Sequence, residues 1–169
     1  MPRIEPDDPP EATAAVLRER IYGGIACLST LLVLARHVED VESAWTAFAD
    51  VAIATGALYA ASLLADYVAH VAAHGQGPRG ADAVAALRAS GQILQASAVP
   101  LLLLALAGVG IIGTAGALRA GVWVSVVTLG LFALLAARRT MLPWWQRAVL
   151  VAALLGLGAL VVALKTLAH

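Results

Sequence analysis

Charge is scarce in this chain. Only 13% of its 169 residues are Asp, Glu, Lys or Arg, against about a quarter in a soluble domain. The two signs balance, with 11 basic and 11 acidic residues, so there is no polybasic surface of the kind that holds nucleic acid. Cysteine is nearly absent. The single Cys27 excludes an internal disulfide and a zinc cage of several thiolates. Its place inside an apolar run makes it a packed, inert thiol. Signatures of catalysis are missing as well: there is no nucleophile elbow, no phosphate-binding loop and no HExxH, and an enzyme is not expected. The N-terminal region also lacks a secretory signal's layout, because acids precede its first apolar run and no small-residue cleavage site follows. That run is expected to stay attached as a first span.

Apolar residues fill the space that charge leaves. They make up 61% of the chain, and the mean hydropathy is +0.86. Several runs approach the roughly 20 residues needed to cross a hydrocarbon core of about 30 Å. The expected fold is therefore all-α, a polytopic transmembrane helix bundle in the lipid bilayer of a bacterial plasma membrane, with no length left for a separate soluble domain. Residues 1–19 form a tail, disordered over the proline- and acid-rich start and then helical from Ala12 to Arg20. Residues 20–169 form the bundle. Five spans are expected, near 21–37, 43–73, 91–118, 121–137 and 144–168. The glycine- and proline-bearing segment 75–80 breaks the chain after the second, and residues 81–90 read as a short amphipathic linker. The fifth is entered through Pro143 and the Trp144–Trp145 pair, suited to the headgroup zone.

The distribution of Lys and Arg orients this bundle. With the N-terminus cytoplasmic, Arg3, Arg18, Arg20, Arg79, Arg88, Arg138, Arg139 and Arg147 lie inside, and only Arg36, Arg119 and Lys165 lie outside. Eight against three favours that orientation. A re-entrant or broken helix over 108–129 would reduce the count to four spans and bring the C-terminus inside.

The second span carries a line of reactive side chains. At about 100° per residue, Thr55, Tyr59, Ser62, Asp66, His70 and His74 share roughly a third of the helix circumference. Ionisable groups within a span are costly and mark function by default. Asp66, His70 and His74, each four residues from the next, could together reach a divalent metal such as zinc or iron if another helix or subunit completed the set. No other cofactor is implied. Haem in particular would need histidines at matching depth on different spans. The same residues also suit a proton path, in which Asp66 and His70 exchange protons and Tyr59, Ser62 and Thr55 extend the route outward. Against both stands a bland reading, with the histidines as interfacial anchors and the hydroxyls as packing groups.

Other polar residues share this depth. Gln92 and Gln95 enter on one face of span three, Tyr22 and the Gly23–Gly24 pair enter on span one, and arginines flank both ends of the region. A cytoplasmic-side cluster of Asp66, His70, Tyr22, Gln92, Gln95 and one arginine is plausible. It would be either an ion or proton site or a structural knot in which Asp66 pairs with Arg20 or Arg138. Asp50 falls on the opposite side of span two, at the interface or beside Arg36, and Lys165 and His169 act as anchors. Small residues at every fourth position (Ala52, Gly56 and Ala60; Ala152 and Gly156) offer close helix contacts, and a homo-oligomer, most simply a two-fold dimer, is expected.

Three short motifs carry a resemblance. Arg20-Ile21-Tyr22-Gly23, the stretch Leu64 to His70 that combines Asp66, Tyr67 and His70, and the ending Ala163 to His169 are similar to small actinobacterial integral membrane proteins of unknown function. The resemblance implies the multi-span topology and supplies no activity. Two functions stand side by side: a small protein handling protons or a divalent cation, and a non-transporting membrane component whose polar stripe specifies packing or a partner.

Overall fold

A computed structural model describes residues 10–138, together with residues 145, 146, 149, 152 and 156. Within the continuous part the fold is four helices joined by short turns: α1 (Pro10–Arg36), α2 (Ala44–His74), α3 (Ala81–Gly108) and α4 (Thr114–Arg138). The all-α expectation holds there. Three stretches are long and apolar enough to cross a membrane: Ala44–His74, Ala81–Gly108 and Thr114–Phe132. The expected fifth span, 144–168, and the first nine residues of the tail lie outside the described region.

Local chemistry sets the helix ends. Ser43 caps α2, its Oγ accepting from the Thr46 amide at 3.1 Å, as N-cap serines do. The same helix stops at Gly75, whose φ of 72° lets its amide return to the Val71 carbonyl. At 31 residues α2 is about 46 Å long, more than a hydrocarbon core of about 30 Å needs, which leaves length for tilt or for a projecting end. α1 runs unbroken from Pro10, a residue favoured in a first helical turn.

The structure moves two expected boundaries. Residues 81–90 are the first turns of α3 rather than a separate linker. The break between the third and fourth helices falls at 109–113, ten residues before the expected one. Gly110 causes it: its φ of 83° turns the chain, and the amide of Ile111 reaches back to the Leu106 carbonyl at 3.0 Å. This is the glycine-dependent stop that leaves the last carbonyls satisfied.

α1 and α3 pack against each other, and each also packs on α2 and α4. Their contact is backbone against backbone at Gly23, where a Cβ would stand 2.7 Å from Ile93 Cα. Every fourth residue of α1 faces inward: Glu19, Gly23, Cys27 and Leu31 are all buried. The apolar core gathers toward the end bearing the 37–43 and 109–113 turns. There Cys27 and Leu31 meet Ala44, Ala47 and Val51 of α2, Leu104 and Ala107 of α3, and Ala117 and Leu118 of α4. Trp45 lies over Gly108 at that end and ties the two turns together. Polar side chains collect in the other half.

Candidate functional site

Four helices converge on a polar knot. Arg20 lies about 24 Å along α1 from Arg36, Ser62 about 27 Å along α2 from Ala44, Gln92 about 24 Å along α3 from Gly108, and Phe132 about 27 Å along α4 from Thr114, at roughly 1.5 Å per residue. Measured from the aligned turns, all four sit close to the far edge of a core about 30 Å thick.

The knot has two limbs that start from neighbouring residues of α1. The first centres on Glu19, only 3% exposed. Ser62 donates to Glu19 Oε2 at 2.9 Å, and because Ser62 has one proton to give, Ser90 must donate to Ser62 across their 3.1 Å contact. The order is thus Ser90 to Ser62 to Glu19, running from α3 through α2 to α1. Glu19 Oε1 accepts from Arg18 through Nη2 at 2.9 Å and Nε at 3.1 Å. Arg18 is 53% exposed and keeps part of its fork in solvent. Its Nη2 also stands 3.9 Å from Asp66, a long, partly solvated pair of small worth.

The second limb centres on Arg20. Its Nε donates to Gln92 Oε1 at 2.7 Å and its Nη2 to Gln95 Oε1 at 3.2 Å. Gln92 in turn donates from Nε2 to the Arg88 carbonyl at 3.0 Å, which fixes which end of its amide faces the arginine. The guanidinium lies 5.1 Å from the centroid of Phe132 on α4, within cation–π range. Among the described residues no buried side-chain nitrogen or oxygen lacks a hydrogen-bond partner.

The residues singled out by spacing are distributed as follows. The stripe on α2 faces the bundle: Thr55 is buried, while Tyr59, Ser62, Asp66 and His70 are half-buried. Ser62 and Gln95 enter the knot, and Asp66 touches its edge through Arg18 rather than through Arg20; the alternative pairing with Arg138 lies outside the described side chains. Thr55 donates its hydroxyl to its own helix, to Val51 O at 2.8 Å. Tyr22 is 52% exposed. His70 and His74 stack on each other, ring centroids 4.3 Å apart. His74 Nδ1 sits 3.2 Å from the His70 carbonyl, an acceptor, so that nitrogen carries a proton. Among the described residues no three His, Cys, Asp or Glu side chains are grouped as a metal would require. The Asp66, His70 and His74 set is a line along one helix, and among the described residues no second helix adds a fourth such side chain to it.

Spacing on α2 missed Glu19, Ser90 and Phe132. For Glu19 a signal existed. It lies four residues before Gly23 and eight before Cys27, so it continues the inward face of α1 as far as that helix runs.

An open groove of about 510 Å³ lies at the other end, lined by Val33, Leu34, His37, Asp40, Val41, Glu42, Thr46 and Asp50. Asp50 is exposed there, near the turn. Comparison with family models, curated proteins and solved structures finds no match, so the resemblance to the actinobacterial proteins rests on the three motifs alone.

Proposed function

We propose that this chain is a non-catalytic, non-transporting membrane component whose polar residues lock the inner ends of its helices and present that end to a partner. One observation carries the reading: the buried polar groups of the knot are paired with one another across helices. Glu19, Ser62, Ser90, Arg20, Gln92 and Gln95 donate to or accept from one another. A site that passes ions or protons needs a water-filled route past such groups, whereas the groove opens at the opposite end. In this reading the chain crosses a bacterial plasma membrane with its N-terminus cytoplasmic, α1 counts as a span beside the three more apolar helices, and the C-terminal region adds a fifth. The assembly is a homo-oligomer, with a two-fold dimer as its simplest form.

Flux measurements test the choice. Proteoliposomes holding the wild type should pass no H⁺, Zn²⁺ or Fe²⁺ above empty vesicles, and Asp66→Asn and His70→Ala should leave that baseline unchanged. A wild-type flux that disappears in either variant would replace this reading with the transport one.

A further inference from the structure

Arg20 differs from its neighbour in what balances it. Arg18 holds Glu19 and approaches Asp66. Among the described residues Arg20 meets no carboxylate, only two amide carbonyls and an aromatic face. No Asp or Glu lies between residues 83 and 138, so neither the rest of α3 nor α4 supplies a carboxylate side chain. A guanidinium near the edge of the hydrocarbon, with water thinning around it, favours an anion.

We infer that Arg20, with the amide of Gln95, binds the phosphate of an anionic phospholipid in the leaflet at this end of the bundle. The fork is already immobilised: Nε and one Nη2 proton are committed to the glutamines and the ring of Phe132 fixes its plane, leaving Nη1 and the second Nη2 proton to donate. Gln95 is exposed, and with its oxygen on Arg20 its amide protons stay available to a ligand. Arg88, exposed and one turn before Gln92 on α3, adds positive charge toward the headgroup layer. The acyl chains have a matching surface on α4, where Val127, Leu131 and Leu134 are exposed. A planar fork of donors suits phosphate geometry, and basic pockets between helices on the cytoplasmic side select anionic headgroups.

The assignment rests on the bilayer embedding proposed above, which carbonate extraction of membranes tests on its own. The lipid test uses the full chain in neutral detergent, with its melting temperature read after adding phosphatidylglycerol, phosphatidylcholine or inorganic phosphate. Phosphatidylglycerol should raise the melting temperature by about 3 °C or more beyond phosphatidylcholine, and inorganic phosphate should not reproduce the rise. The increment should vanish in Arg20→Gln and persist in Arg119→Gln, whose arginine lies near the opposite end. Because Arg20→Gln also alters the knot, Gln95→Ala, at an exposed position, provides the second variant and should lose at least half of the increment. An increment that survives both Arg20→Gln and Gln95→Ala overturns the assignment. So does a full increment from inorganic phosphate, which would make the ligand a soluble anion.

Discussion

Glu19 shows how burial and exposure of two partners decide the worth of an ion pair. Removing one member of a fully buried pair costs about 3–5 kcal/mol because a charge is stranded in the interior. Here the stranded member would be Arg18, which is half exposed and can turn to water or toward Asp66. The loss in Glu19→Leu should therefore be smaller, about 1–3 kcal/mol, in the range of a lost hydrogen bond to a charged group. Glu19→Gln should cost less than Glu19→Leu, because an amide oxygen still accepts from Ser62. A double-mutant cycle of Glu19→Leu with Ser62→Ala, read by unfolding in detergent micelles, should return a coupling of about 0.5 kcal/mol or more. Strict additivity would mean that the Ser62 hydroxyl contributes nothing through Glu19.

Among the helices, the two interfaces with glycine predict opposite outcomes for similar substitutions. At Gly23 an added methyl meets the backbone of Ile93, at 2.7 Å from Cα and 2.9 Å from the carbonyl oxygen, and backbone cannot swing aside as a side chain can. Gly23→Ala should lower stability by about 1–3 kcal/mol, the usual penalty of overpacking, and Gly23→Val by more. At Gly56 nothing lies within 4 Å, and Gly56→Ala should raise stability by about 0.5–1 kcal/mol through helix propensity. If the proposed dimer forms through the Ala52–Gly56–Ala60 face, Gly56→Leu should shift the particle mass to that of a monomer, and an unchanged mass would exclude that face. These helices were unevenly legible in the sequence. α2 stands within a residue of its predicted range of 43–73, because Ser43 and Gly75 are unambiguous stop chemistry. The α3–α4 break was not, because residues 101–112 are apolar throughout and hydropathy gives no sign of where such a run folds back. The information lay in Gly110, one glycine among several, and only the turn geometry distinguishes it. The site divides in the same way. Ser62, Asp66, Gln92 and Gln95 follow from helical spacing, while Glu19 is hidden if the Arg18–Glu19–Arg20 cluster is taken as a headgroup marker at the start of a span. It becomes visible once the helix expected over 12–20 and the span that follows are one continuous α1, so that the inward face carries through to Glu19.

Across the whole molecule, the two ends differ in charge as well as in packing. The 37–43 turn and the start of α2 bring Glu39, Asp40, Glu42 and Asp50 to the end that carries Arg36 and Arg119, while Arg18, Arg20, Arg79 and Arg88 lie with Glu19, Asp66 and Asp82 at the knot end. Positive charge is retained on the cytoplasmic side of membranes, so the knot should face the cytoplasm and the acidic turn the exterior. Labelling in intact cells with a membrane-impermeant maleimide reads this directly, since the native thiol Cys27 is fully buried and can be removed as Cys27→Ser. On that background Glu39→Cys and Gly113→Cys, both at exposed positions, should label from outside. Gln76→Cys, equally exposed, should label only after the membrane is opened. The inverse pattern would turn the molecule over and place the Arg20 site in the outer leaflet. Labelling of Glu39→Cys without Gly113→Cys would mean that α3 and α4 form a hairpin that does not cross. His169→Cys then separates the two span counts: five spans place it with Glu39, and four place it with Gln76.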